Sequence, residues 1–498
     1  MNACDDRRAQ AKPSTGGLNR MRPNDSARFT LVETQRLEWP FRLRMPFRFG
    51  VITVTHGRQA VLRARIRLED GTEHWGVAAE SLAAKWFDKD PALSDAQNEQ
   101  QLRRALELAE DATRAAGPNT AFGHFADSYA AVSAAAGRER LNPLVASYGR
   151  ALLDRAMLDA VLKARGLSFW AGMRANIGGM AAHAVAPDLA GFDFGAMLAG
   201  LTPLRRIHAR HTVGLVDPIT AADQAERVGD GLPETLEDVA ATYRHRYWKL
   251  KVGGNVAADV ERLCRIASVL DRLHGGYHAS LDGNEQYEDA EGALALWRAM
   301  EAEPRLKRLC GSILFIEQPV KRARALETGM SALAAARPVI IDESDGPLDA
   351  FVTGRALGYA GVSSKACKGV WRSLINLARC RAWNAAEGRD RYFMSAEDLT
   401  TLAGVCVQQD LALVSLMGLP HVERNGHHFV DGFAGRPKAE AVRFMEAHPD
   451  LYADTSRGPR LAIRDGVLEI GSLDTPGLGA TIEPDLSAME PMPKAAWG

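Results

Sequence analysis

No stretch of this 498-residue chain stays apolar long enough to span a bilayer, so it offers no candidate membrane segment and no membrane partner is expected. An excess of one charge is missing too. Lysine plus arginine number 61 against 62 acids, a net charge of −1 with pI near 6.9, so nothing suggests a polyanionic partner and no nucleic acid is expected. The six cysteines (Cys4, Cys264, Cys310, Cys367, Cys380 and Cys406) form no CxxC pair. That argues against a zinc ribbon or a disulfide framework and predicts reduced core thiols in a cytoplasmic protein. Residues 1–28 contain Gly, Pro, Ser and Arg but no apolar h-region. They read as a disordered tail rather than a secretory signal, with a cleaved organelle peptide as the weaker option. No solenoid repeat and no coiled coil is present. What remains is an ordinary globular composition, 46% hydrophobic and 25% charged, with length for two or three domains.

Residues 29–140 read as a small α+β domain. Between Ala60 and Leu68, the apolar Leu62, Ala64, Ile66 and Leu68 alternate with Arg63, Arg65 and Arg67, the period of a sheet with one buried face. Glu69-Asp70-Gly71 supplies a turn and His74 to Ala79 a returning strand, with helices expected between about 95 and 135. A second unit opens at Asn142-Pro143, an N-cap followed by proline at the first helical position. There Leu153, Met157 and Val161 recur on one face and Gly166 closes the helix. From Ala209 to Val216 onward strands alternate with helices, one of which shows Leu263, Ile266, Leu270 and Leu273 on one face. Repeated βα units imply a parallel sheet with covered faces. Seven or eight fit between 205 and 425, which favours a closed barrel. The Gly-, Ala- and Met-rich stretch 167–205 fits neither pattern and reads as a loop insertion.

Short apolar runs in this region end in charge: Tyr247-Trp248-Lys249-Leu250-Lys251, Ser280-Leu281-Asp282-Gly283-Asn284, Leu314-Phe315-Ile316-Glu317 and Val339-Ile340-Ile341-Asp342. Gly361-Val362-Ser363-Ser364-Lys365 follows. In a parallel barrel such strand ends converge on one face. Asp282, Glu317 and Asp342 lie 35 and 25 residues apart, one per βα unit. Three acids so placed repel each other unless a cation neutralises them. Oxygen ligands without His or Cys suit Mg²⁺ or Mn²⁺. Any one of these acids alone reads as a solvated strand end; three at matching positions do not. Lys249 and Lys251, two residues apart, share a strand face. Proximity to each other and to a cation would depress their pKa values and make one a base. Lys365 arrives from the opposite side of the barrel. As counter-ions alone, the lysines would merely balance the acids.

These motifs, in this order, resemble the enolase superfamily, and within it the mandelate racemase/muconate lactonizing branch. The resemblance implies an α/β fold: a modified (β/α)7β TIM-type barrel over 141–440, an N-terminal α+β capping domain over 29–140, and a segment 441–498 that packs back on the cap. It makes Asp282, Glu317 and Asp342 the ligands of Mg²⁺ (or Mn²⁺) and Lys251 and Lys365 the acid/base catalysts. Lys249, Asn284 and Glu397 become substrate contacts. A lysine at position 365 matches the muconate lactonizing subgroup, and Tyr392-Phe393-Met394-Ser395 offers no histidine for the racemase-type dyad. Met45 to Gly50 resembles the mobile capping loop and Ala78 to Phe87 the second specificity loop. The implied reaction removes the proton α to the carboxylate of a small molecule through a metal-stabilised enolate. Racemisation or epimerisation, dehydration, or cycloisomerisation would follow, in a homo-oligomeric enzyme.

The resemblance thins at Ala366-Cys367-Lys368-Gly369, where a Thr-Gly-Gly-type turn is usual, and at His421-Val422-Glu423-Arg424-Asn425, where dipeptide epimerases carry an acidic pair. His427-His428 reads as a solvated turn rather than a ligand pair, and Cys367 as a core thiol rather than a nucleophile. Lys85-Trp86-Phe87 reads equally as a substrate contact or as packing. Two other readings of the barrel are a Schiff-base aldolase or lyase using Lys251 or Lys365, and a scaffold without catalysis.

Overall fold

The computed structural model describes residues 26–50, 52–224 and 226–497. The expected tail lies outside them except for residues 26–28, as does Cys4. Three antiparallel strands come first: β1 (Phe29–Phe49), β2 (Ile52–Leu68) and β3 (Glu73–Ser81). The alternation in β2 holds, with Leu62, Ala64, Ile66 and Leu68 buried. On the other face the Arg63 and Arg65 guanidinium groups lie 4.4 and 5.5 Å from the Trp75 ring centre. The β2–β3 turn depends on Gly71 at φ +83°, and Asp70 Oδ1 accepts from the Thr72 amide at 2.9 Å. Of Met45 to Gly50, expected as a capping loop, Met45 to Phe49 form the end of β1, with Phe47, Arg48 and Phe49 paired to Val54, Thr53 and Ile52.

Helices α1 (Ala84–Phe87), α2 (Asp95–Ala115), α3 (Ala121–Arg138) and α4 (Pro143–Ala164) follow. Asn142 caps α4 by accepting from the Val145 amide at 2.9 Å, and Pro143 opens its first turn. The apolar face expected on α4 is only part of what it buries. Nearly every residue from Leu144 to Leu162 is inaccessible, because α4 lies between β3 and α2. Both approaches require glycine. A Cβ on Gly76 would meet Ala156 O at 2.1 Å, and one on Gly149 would meet Ala105 O at 2.2 Å.

Eight parallel strands then form the barrel: β4 (Arg206–Val213), β5 (Tyr247–Lys251), β6 (His278–Asp282), β7 (Ile313–Glu317), β8 (Val339–Ile341), β9 (Gly361–Ser364), β10 (Phe393–Ala396) and β11 (His421–Glu423). Neighbours pair in chain order, and β11 closes the ring on β4 with His421 opposite His208. Helices follow each of the first seven strands, among them Leu236–Tyr243, Val256–Leu270 and Val370–Glu387. The fold is therefore a TIM-type (β/α)7β barrel with an antiparallel N-terminal cap. The stretch 167–205, expected as a loop, carries two short helices, Phe169–Arg174 and Phe194–Ala199. Their Trp170, Met173, Phe194 and Leu198 are buried, which accounts for the apolar composition.

Beyond the barrel, Val467–Glu469 adds antiparallel to β4, and Glu490–Pro491 pairs with β1. Asp159 of α4 joins both parts of the chain, accepting from the Val77 amide at 2.9 Å and the Leu478 amide at 2.7 Å. Among the described residues no helix is long and apolar enough to cross a membrane. The five described cysteines are buried and unpaired.

Candidate active site

Parallel register brings the charged strand ends together. Lys251 at the end of β5 stands opposite Asp282 at the end of β6, which stands opposite Glu317 at the end of β7. Asp342 follows β8 by one residue and Lys365 follows β9 by one. Since alternate strand residues share a face, Lys249 lies one layer deeper than Lys251. A cavity of about 140 Å³ sits above, with Lys249, Lys251, Asp282, Asn284 and Lys365 in its floor. Its roof belongs to the cap: Phe41, Leu43, Phe47 and Phe49 from β1, with Leu82 and Trp86 from the segment containing α1. Glu317, Asp342 and Glu397 are buried beneath that floor rather than part of the lining.

Lys249 Nζ lies within hydrogen-bonding distance of four carboxylates: Asp282, Glu317 and Glu397 at 2.8 Å and Glu423 at 3.0 Å. Lys251 Nζ donates to Asp282 Oδ2 at 2.6 Å, and Lys365 Nζ to Asp342 Oδ2 at 2.6 Å. The Trp86 ring centre lies 4.0 Å from Lys365 Nζ. Asn284 donates to Glu343 at 3.1 Å, while its amide donates to Asp282 Oδ1 at 2.9 Å. Its backbone is left-handed at φ +40°, as are Glu285 at +71° and Gln318 at +34°, so the turns leaving β6 and β7 hold strained residues beside the acids. Arg322 anchors α1 above this point, donating to Glu285 and to the carbonyls of Trp86 and Phe87.

Burial and pairing push the charges in different directions. Burial disfavours the Lys249 ammonium, but Asp282 and Glu317 outweigh it and hold the pKa well above the usual lysine range. Lys365 behaves alike: burial lowers it and Asp342 more than restores it. The depression expected at Lys249 is therefore reversed, because it faces carboxylates directly. Asp282 is pushed up by burial yet held below the carboxylate range by Lys249 and Lys251. Glu317 is the exception. Burial, then Asp282 and Glu397, force it well above the usual value.

Several members of the cluster were not singled out from sequence. Arg210 on β4 donates to Glu397 and to Ser395 Oγ, the latter at 3.0 Å. Glu423 accepts from Thr212 Oγ1 at 2.5 Å and Asn425 Nδ2 at 2.8 Å, in addition to Lys249. Lys368 donates to Ser363 Oγ at 2.8 Å and lies 3.0 Å from Asp345. Signals pointed to two of them: Val422-Glu423 repeats the Ile316-Glu317 pattern, and Lys368 sits one 3₁₀ turn beyond Lys365. Glu397, expected at the substrate, is taken up by Lys249 and Arg210; its neighbour Asp398 lines the cavity instead. His427 and His428, expected as a solvated turn, are 6% and 3% exposed in the short helix Gly426–Phe429, covered by Tyr243, His211 and Phe429. Cys367 is buried, and burial raises its thiol well above the usual range.

The donor set of Asp282, Glu317 and Asp342 fits a hard divalent cation. All three supply oxygen from adjoining strands, and all are buried. Glu317 Oε2 accepts no well-formed hydrogen bond although Lys249 Nζ is 2.8 Å away, so one buried carboxylate oxygen is left for another partner.

No family model and no curated protein matches the chain by sequence. Solved structures do match by shape. A dipeptide epimerase from Enterococcus faecalis, complexed with Mg and the dipeptide L-Leu-L-Tyr, superposes with a TM-score of 0.56 at 15% identity, covering 90% of this chain and 99% of its own. A 2-chloromuconate cycloisomerase from Rhodococcus opacus gives 0.55 at 18% identity, covering 91% and 97%. A muconate lactonizing enzyme from Pseudomonas fluorescens, complexed with muconolactone, gives 0.53 at 19% identity, again covering 91% and 97%. The capped barrel described above is the fold these proteins share.

Proposed function

We propose that the chain is an enzyme of the muconate lactonizing-like branch of the enolase superfamily, removing the proton α to the carboxylate of a small, partly apolar acid. One observation carries this reading. Lys251 and Lys365 reach a single cavity from β5 and β9, four strands apart in an eight-stranded barrel and so on opposite walls, each 2.6 Å from a carboxylate.

Asp282, Glu317 and Asp342 are the residues that would hold Mg²⁺, which when bound supplies positive charge to the substrate carboxylate as the α-carbon becomes electron-rich. The protein's own groups do the rest. Lys251 Nζ and Lys365 Nζ stand at the two faces of the α-carbon, one taking the proton and the other returning one. That pairing suits inversion of a stereocentre; dehydration or cycloisomerisation needs only other substituents on the same acid. Lys249, fixed by four carboxylates, adds charge beneath the substrate. Trp86 covers Lys365 and keeps water from it. The apolar roof of Phe41, Leu43, Phe47 and Phe49 favours an acid with a hydrophobic tail over an acid sugar.

Proton NMR in D₂O with Mg²⁺ tests this on a panel of N-acyl amino acids, dipeptides, unsaturated diacids and acid sugars. Deuterium should enter the α-position of the apolar members and stop on addition of EDTA. Lys251→Ala and Lys365→Ala should each slow exchange by about 10²–10⁴-fold, for opposite stereoisomers. Exchange that survives both substitutions, or its absence across the panel with Mg²⁺ demonstrably bound, overturns the reading.

A further inference from the structure

We propose that His211, His245 and His427 form a second metal site, outside the barrel and separate from the acidic cluster, for a divalent transition ion of the zinc class. The three rings come from separate parts of the chain. His211 is on β4, facing away from the barrel interior because its neighbours Arg210 and Thr212 face inward to Glu397 and Glu423. His245 lies between the helix Leu236–Tyr243 and β5, and His427 in the helix Gly426–Phe429 that follows β11. All three are buried, and one nitrogen from each lies within 4.8 Å of the other two.

The unpaired nitrogens distinguish a metal site from aromatic packing. Packing does account for the ring faces: His211 and His245 stack with centres 5.4 Å apart at 23°, and Trp248 stands edge-on to both. It leaves His211 Nδ1, His245 Nε2 and both nitrogens of His427 buried without a hydrogen-bond partner. Four such atoms in one place are costly, since buried polar groups are nearly always satisfied. The tautomer of His245 is fixed by its other nitrogen: Nδ1 lies 3.0 Å from Ala209 O, a pure acceptor, so Nδ1 carries the hydrogen and Nε2 presents its lone pair inward. Imidazoles that bind metals are commonly held in this way by an outer partner.

Geometry and ligand type agree. A tetrahedral ion with Zn–N bonds of about 2.0–2.1 Å sets its nitrogens roughly 3.3 Å apart. From a spread of at most 4.8 Å, the rings need to close by about 1.5 Å or less, within the range of side-chain rotation. Three neutral imidazoles exclude Mg²⁺ and suit zinc and its neighbours. The fourth position falls to water or to His428, whose ring centre is 4.9 Å from that of His211. The ion would fix the helix on which the cap rests: Phe429 packs 4.5 Å from Phe47, and His428 O accepts from Arg44 at 3.0 Å.

The test is a Co²⁺ titration of chelator-stripped protein in saturating Mg²⁺, which keeps cobalt from the acidic cluster, followed by X-ray absorption of the zinc-loaded protein. One equivalent should bind with tetrahedral visible bands, be displaced by Zn²⁺, and show imidazole scattering. His245→Gln and His427→Gln should weaken it by about 100-fold or more, beyond the 10–100-fold that loss of an outer partner costs. Glu317→Gln should leave it unchanged. No saturable tetrahedral spectrum on the wild-type protein, an all-oxygen coordination shell, or loss of the bands in Glu317→Gln would each overturn the proposal. The wild-type titration decides even if the histidine variants do not fold.

Discussion

Lys249 is the ammonium on which the barrel's interior depends, with four carboxylates within 3.0 Å and 1% of its surface exposed. Replacing it by methionine keeps the volume but leaves those acids facing one another. Lys249→Met should therefore cost about 3–5 kcal/mol of stability in urea unfolding, the penalty for uncompensated buried charge. Mg²⁺ should restore more of it in the variant than it adds to wild type, if Asp282 and Glu317 hold the ion. Glu317→Gln should move stability by no more than about 1 kcal/mol, since burial and its acidic neighbours already push that carboxyl toward its neutral form. The lysines and the acids ending β6, β7 and β8 were legible because each closes a short apolar run. Arg210 was not: Ala209, Arg210, His211 and Thr212 are all buried, so no alternation marks which faces inward. The His427-His428 pair follows Asn425-Gly426, a turn signal, and what buries it comes from Tyr243 and β4, far away in the chain.

At the scale of elements, α4 shows where sequence pattern gives out. Its start was readable from Asn142-Pro143 and its end from Gly166, because capping is local chemistry. Its burial on all sides was not, since that depends on β3 and α2 arriving from elsewhere. The close approach of β3 is specific enough to test. A Cβ at Gly76 would lie 2.1 Å from Ala156 O and 2.3 Å from Ala160 N, both backbone atoms that cannot rotate away. Gly76→Ala should destabilise by about 3 kcal/mol, the upper end of ordinary overpacking. Gly71→Ala, at φ +83° with nothing within 4 Å, should cost only about 1–2 kcal/mol, from backbone conformation alone. Equal midpoints for the two variants in denaturant titrations would mean that β3 can slide off α4.

At the scale of the molecule, the roof and floor of the cavity belong to different units, and the chain's end holds the roof. Glu490 pairs with Glu38 on β1 and contacts Arg58 at 2.6 Å. The Met492 amide donates to Arg36 O at 3.0 Å, the Ala495 amide to Glu107 at 3.0 Å, and Trp497 Nε1 to Glu139 O at 3.0 Å. Every one of these partners is in the cap; none is in the barrel. Ending the chain after Ala488, which keeps the contacts of Asp485 and Ala488 with Arg436 and Glu440, should therefore release the edge of β1 while leaving the ring of β4–β11 closed. Hydrogen exchange should quicken at Arg36 and Glu38, whose amides face the removed strand, whereas Leu250, Leu281 and Ile316 stay protected, because local opening follows the contacts removed. If the proposed reaction is right, substrate affinity should fall more than turnover, as the lysines keep their places and only the apolar cover loosens. Uniform loss of protection across cap and barrel would mean instead that the two unfold as one cooperative body, and that the roof cannot be loosened without losing the floor.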